Sequence, residues 1–224
     1  MTSATYSALM HSGTMLLQAR KAYERSQRES WDAMTSILLS ALALECFVNE
    51  LDELIANRVL DDAIPELISS RIVTALLEES KASLIPRIDA YHFALRGKPI
   101  DRGQGPMQDL KFLIQLRNAL VHRKSERMLF PVTDGDGARK THKFVSYLAA
   151  RKIIPKSEAH VPGAWSQYVL VPSVAMWAHN TVVDLTMEIV SWLPEGNFKC
   201  ISEVRTNNCC KITVEQPQVM RRER

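Results

Sequence analysis

From Ile37 to Val48 the chain is apolar at every position except Ser40 and Glu45. Within this run and beyond it, Ile37, Ala41, Leu44, Val48, Leu51 and Ile55 recur at steps of three and four, which is one face of a helix. A helix apolar nearly all round must be enclosed by other elements, so this one is expected at the centre of a bundle. Ser30 is a plausible cap, and the helix is expected to run to about Asn57. The apolar run itself is shorter than the ~20 residues a membrane span needs, so no membrane association is expected.

The remaining pattern is also helical. Tyr6, Leu9, Met10, Leu16, Leu17 and Tyr23 fall at helical spacing, and residues 66–79 form a shorter amphipathic segment. Residues 83–95 form another, with Pro86 in its first turn, where proline is tolerated. Gly97, Pro99, Gly103 and Gly105 break the pattern, and Pro106 opens a helix expected over Met107 to about Lys124. A last helix spans about Pro172 to Leu193, with Val174, Trp177, Ala178, Val182, Leu185, Ile189 and Trp192 as its stripe. Between them, residues 125–163 read as an irregular insertion. Met128–Val132 and Lys143–Leu148, around Asp134–Gly137, suit a short hairpin. The expectation is an all-α bundle of five or six helices with a loop or hairpin insertion, forming one domain over 1–198, followed by a basic tail at 199–224.

Composition narrows the function classes. With 224 residues, 46% hydrophobic and 24% charged, the chain can bury a sizeable core, and wholesale disorder is not expected. Its net charge of +3 is matched by the tail, where 199–224 hold six basic and three acidic residues. The balanced body is not the footprint of a large DNA-binding surface, although it leaves room for a local anion site. No secretory signal is evident at the N-terminus. No C-x-x-C pair occurs among Cys46, Cys200, Cys209 and Cys210, which argues against a zinc ribbon, and Cys46 reads as a small buried hydrophobe. A reducing cytoplasm is the simplest compartment.

The chemistry-bearing segment is Leu116-Arg117-Asn118-Ala119-Leu120-Val121-His122. Asn118 and His122 are four apart and share a helical face, with the long arm of Arg117 beside them. An arginine fork grips the non-bridging oxygens of a phosphodiester, and an imidazole moves protons near neutral pH. Glu45, an acid in an apolar helix, has two readings. It pairs with Arg117 or a nearby cation, or it sits at the edge of the buried face and reaches water. Other candidates are weaker. Arg87-Ile-Asp-Ala-Tyr-His92 repeats the Arg/His spacing without the asparagine. Asp134-Gly-Asp136-Gly begins like a calcium loop that nothing completes, so a turn is expected. Asp89 and His92 lack a third metal ligand, and His179 reads as a core histidine. Arg139, Lys140, His142 and Lys143 read as a solvated basic loop, with guidance of RNA as the functional alternative. No Gly-rich loop followed by lysine supports an NTPase.

Arg117-Asn118-Ala119-Leu120-Val121-His122 resembles the R-x4-6-H motif of the HEPN superfamily, in which a polar residue commonly follows the arginine. The stretch Ser40–Leu51, bearing Glu45, Asn49 and Glu50, is similar to the apolar, acid-bearing helix of many such proteins. The resemblance covers roughly residues 30–124, plus a closing helix at 172–193. It implies a metal-independent endoribonuclease, often a toxin or defence factor, that acts as a homodimer with the two motifs facing each other. Arg117, Asn118 and His122 would be catalytic and Glu45 supporting, with RNA as substrate, no metal or other cofactor, and an antitoxin or regulatory protein as a further partner. The alternative is a non-catalytic dimeric module that binds RNA, a nucleotide or a protein.

Overall fold

The computed structural model describes residues 11–56, 81–122 apart from 102 and 104, 142–156, 164–193, and, near the C-terminus, 195, 199, 203 and 211–213. Seven helices and no strand occur among these residues, so the fold is all-α. They are α1 (Ser12–Ser26), α2 (Trp31–Ala56), α3 (Leu84–Arg96), α4 (Pro106–Val121), α5 (Lys143–Ala150), α6 (Trp165–Val169) and α7 (Pro172–Trp192). One continuous core draws side chains from all seven.

A short turn joins α1 to α2, which makes them antiparallel neighbours. Arg25 clamps this turn, with Nε and Nη2 donating to the two carboxylate oxygens of Asp32 at 3.1 and 3.2 Å. Small residues then let the two helices approach. Ala19, Ala22, Ala33, Ser36 and Ser40 are all buried, and Ser36 Oγ donates to the Ala19 carbonyl at 2.8 Å. No side chain of α1 itself caps its N-terminus. Glu50, from α2, accepts from the backbone N–H of His11 and from Ser12 N at 2.9 Å, and from Ser12 Oγ at 2.5 Å. A buried carboxylate thus satisfies amides that a helix start leaves open.

Helix α2 occupies the centre, against α1, α3, α4 and α7. Ile37, Ala41, Leu44, Val48 and Leu51 are buried as their spacing requires, while the side chain of Ile55 lies outside the described residues. The apolar stretch Trp31–Glu53 is longer than the run visible by eye in the sequence. By length and composition it is sufficient to cross a bilayer, and half of it is buried inside this fold. Cys46 also differs from expectation. It is half-buried rather than enclosed, and its thiol donates to Glu50 Oε1 at 3.4 Å. Burial and the neighbouring Glu50 charge push that thiol up to about 11.

Helix α3 ends at Gly97, whose φ of +68° suits a residue without a Cβ and whose N–H donates to the Phe93 carbonyl. Arg96 reaches across to cap the end of α7, donating to the Ser191 carbonyl at 2.6 Å. Helix α4 starts at Pro106 after Gly105, at φ +50°. Met107, Leu110, Leu113, Leu116 and Leu120 bury its inner face. It closes at Val121, with His122 as the C-cap, about one turn earlier than the sequence pattern suggests.

The insertion is where expectation and structure part. Lys143–Leu148 is not a hairpin strand but lies in helix α5, with Phe144, Val145, Leu148 and Ala149 buried. Phe112 of α4 stacks on Tyr147 with ring centroids 3.6 Å apart, and Phe144 meets Trp165 of α6 at 5.0 Å. These contacts select the helical period over the alternating one. The expected first strand (Met128–Val132), the Asp134–Gly137 turn and the helix at 66–79 lie outside the described residues. Within the tail, residues 211–213 include contacts to α7. Asn180 of α7 presents its amide to Ile212 like a strand partner, accepting from Ile212 N at 2.8 Å and donating to Ile212 O at 2.9 Å. Ile212 is buried there, and Lys211 pairs with Asp184 at 2.5 Å.

Candidate functional site at the end of the fourth helix

Leu113, Leu116 and Leu120 fix the rotation of α4 in the core, which turns Arg117 toward the border with α2. There Arg117 Nη2 donates to Glu45 Oε2 at 2.9 Å, and Nη1 donates to the neighbouring Asn118 Oδ1 at 2.9 Å. The Glu45–Arg117 contact, one of the two readings of Glu45, is therefore present. The two side chains keep 32% and 23% of their surface exposed, so Glu45 both pairs and reaches solvent. A guanidinium has five N–H donors, and two are used here. Among the described residues no acceptor engages the other three. Asn118 is exposed and, with its oxygen committed to Arg117, has its amide nitrogen as a donor.

His122 is exposed one turn beyond Asn118. Its backbone N–H still donates to the Asn118 carbonyl at 2.9 Å, which holds its Cα at the next helical position above Asn118. Its ψ of 37° takes the chain out of the helix immediately afterwards. Val121, next to it, is 53% exposed, so an apolar side chain borders the motif.

The second Arg/His pair is used differently. Arg87 Nη2 and the Tyr91 hydroxyl both donate to the carboxylate of Asp52 on α2. His92 is buried, with Nδ1 2.8 Å from the Lys98 carbonyl and its ring edge-on to Trp192 at 4.7 Å. Its imidazole pins the loop after α3. Burial pushes the Arg87 guanidinium below its ordinary value, and the charge of Glu45 opposes that shift. Asp52, Tyr91 and this role of Arg87 were not anticipated, although the seven-residue separation of Glu45 and Asp52, two helical turns, is visible in the sequence.

The basic run also reads differently in three dimensions. His142 caps α5, with Nδ1 accepting from Phe144 N at 3.4 Å, and its ring stacks on Trp165 at 4.8 Å. Covering that ring lowers the His142 pKa, and the neighbouring Lys143 lowers it further. Arg139 and Lys140 lie outside the described residues. At the opposite end of α4, Tyr147 donates to Asp109 at 2.7 Å, and Arg151 contacts Asp109, Gln108 and the Tyr147 hydroxyl at 3.1–3.3 Å. Burial and Asp109 push the Tyr147 hydroxyl up to about 12, so it stays a donor. His179 is fully buried on α7. Among the described residues no three His, Cys, Asp or Glu side chains converge as a metal site would require.

Comparison of the chain with protein-family models, with curated proteins and with solved structures finds no match.

Proposed function

We propose that the protein is a HEPN-like, metal-independent endoribonuclease of the cytoplasm, acting as a homodimer. The observation that carries this reading is the Arg117 guanidinium, which donates to Glu45 and Asn118 and leaves three N–H donors unused among the described residues, with the exposed His122 one helical turn beyond Asn118. An arginine oriented in this way is suited to the charge that builds on the non-bridging oxygens of a phosphorane. The RNA 2′-hydroxyl attacks its own phosphorus. One imidazole takes the hydroxyl proton, the P–O5′ bond breaks, and a second imidazole gives a proton to the departing 5′-oxygen. The products are a 2′,3′-cyclic phosphate and a 5′-hydroxyl. Attacking and leaving oxygens lie on opposite sides of phosphorus, so two His122 residues related by a two-fold axis serve both, with Asn118 orienting the phosphate. A toxin or defence role, with an antitoxin as partner, fits such an activity.

The test is incubation of purified protein with mixed RNA in chelator, beside DNA of the same sequence. Cleavage of RNA alone, with cyclic-phosphate ends, supports the reading, because DNA lacks the nucleophile. Binding without cleavage assigns the chain to the non-catalytic class. Activity that disappears in chelator and returns with magnesium rules out this mechanism.

A further inference from the structure

Asn180, Asp184 and Glu188 follow one another at steps of four along the less buried side of α7, so they share one face. The chain's own C-terminal segment lies on this face. Lys211, Ile212 and Thr213 are exposed, buried and exposed in turn, the alternation of an extended chain. Asn180 reads the main chain of Ile212 on both sides, accepting from its N–H at 2.8 Å and donating to its carbonyl at 2.9 Å. Such a contact suits any extended residue that has an N–H, so selection falls to the side chains. Ile212 keeps 8% of its surface, and Lys211 Nζ meets Asp184 Oδ1 at 2.5 Å. Main-chain recognition, a seat for one aliphatic side chain and an acid for the base before it are the parts of a short-peptide site.

Two features make the segment a resident ligand rather than a fixed part of the bundle. Ile212 is buried without belonging to the continuous core of the helices. The connection is also long for its span. Residues 194–210 can reach roughly 55 Å when extended, whereas Asp184 to Leu193 covers about 14 Å of helix. A tether so much longer than its span gives a modest effective concentration, which a free ligand can match. One place on the face is also unmatched. Glu188, one turn beyond Asp184, is half-buried and pairs with no cation among the described residues. The segment passes Asp184 at Lys211 and Asn180 at Ile212, so it runs toward the start of α7. In an extended ligand the residue two before the lysine projects to the same side as it, toward Glu188. The chain's own sequence has Cys209 at that position.

We infer that this face of α7 is a recognition site for an extended protein segment of the pattern base-x-base-aliphatic, and that Lys211-Ile212 fills it in cis until such a partner displaces it. The partner's first base pairs with Glu188, its second with Asp184, and its aliphatic residue takes the place of Ile212 with its main chain on Asn180. No residue of this site belongs to the Arg117–His122 motif, so the inference stands or falls independently of the ribonuclease reading.

The experiment adds two synthetic peptides of residues 207–215 to the full-length protein and follows the isoleucine methyl NMR signals of the peptide. One peptide carries Cys209→Ser, the other Cys209→Lys, and both carry Cys210→Ser. In the protein, Ile212→Asp unseats the tail. Lys211→Glu does the same by repulsion from Asp184 and takes over if Ile212→Asp does not fold. Both peptides should bind the unseated protein at least about tenfold more tightly than the parent, because the tethered segment no longer competes. The Cys209→Lys peptide should bind about twofold to fivefold more tightly than the other, the worth of one partly exposed ion pair. Glu188→Gln should remove that advantage, and Asn180→Ala in the unseated protein should weaken both peptides about tenfold.

Equal affinity of the parent and the unseated protein would overturn the displacement. No peptide response up to about 5 mM, the range of a flexible tether's effective concentration, would overturn the site itself. So would binding indifferent to Asn180→Ala, or a Cys209→Lys advantage that survives Glu188→Gln.

Discussion

Glu45 and Arg117 stand 72 positions apart in the chain and 2.9 Å apart in the fold. The contact joins the central helix to the end of α4 and orients the guanidinium, with Nη2 on Glu45 and Nη1 on Asn118. A carboxylate in this place turns a mobile side chain into an oriented one, which is how a fold converts a short motif into a site. Asn118 completes the arrangement by accepting from the same guanidinium.

Glu45→Gln should therefore lower RNA cleavage by about tenfold to a hundredfold, the range expected when a group that orients a charge stabiliser is lost. Glutamine retains a carbonyl oxygen and the bulk of the side chain, so the thermal midpoint should move little. Far-UV circular dichroism and initial cleavage rates, measured on the same preparation, check both halves. A variant as active as the parent would remove Glu45 from the account.

His92→Ala should do the reverse. It removes the contact with the Lys98 carbonyl and the edge-on packing on Trp192. A buried hydrogen bond and ring of this kind contribute about 1–3 kcal/mol, which corresponds to a fall in Tm of roughly 3–10 °C. Cleavage at a temperature where the variant is folded should be nearly unchanged. Lost activity in a folded His92→Ala protein would mean that the site lies at the other Arg/His pair.

Dimerisation should depend on the rim of the motif. Val121 exposes 53% of its surface beside His122, where a facing copy would cover it. Val121→Asp should weaken self-association at least about tenfold, since two like charges would meet across a two-fold axis. Analytical ultracentrifugation over a range of concentrations reads this directly. A wild-type protein that cleaves while strictly monomeric would refute the composite site.

Acid should destabilise the α5 region through His142. Covering its ring on Trp165 lowers its folded-state pKa below the ordinary value of 6.5. The unfolded chain then binds the proton more readily, so this contribution is complete above about pH 6.5 and is lost as pH falls through the depressed folded value. Much of the residue is exposed, so the effect should be a degree or two in Tm between pH 7.5 and pH 5. His142→Asn keeps a capping oxygen and should flatten this part of the pH profile. An unchanged profile in that variant would assign the acid sensitivity elsewhere.

The sequence was most legible where one period was unambiguous. The stripe of α7 from Val174 to Trp192 and the proline starts of α4 and α7 match the structure because local chemistry and burial agree there. The cost of leaving a carboxylate in an apolar helix without a partner made a Glu45–Arg117 contact one of two readings, and the structure shows the contact with Glu45 also reaching solvent. Lys143–Leu148 was ambiguous for a physical reason. Phe, Val, Tyr and Leu in six residues suit a strand or a helix equally, and stacking on Phe112 decides between them. The early end of α4 was also hidden, because neither glycine nor proline stands at residues 122–124 to mark it. Pairing of Arg87 with Asp52, 35 positions away, depends on how α3 lies on α2, which no local pattern encodes.

The central claim is that Arg117 and His122 act together on RNA without metal. Single-turnover cleavage of a defined RNA in chelator should fall by two to four orders of magnitude, roughly, in His122→Ala, and by a similar factor in Arg117→Ala, with Tm values close to the parent. A folded His122→Ala protein that cleaves at the parental rate would contradict the account.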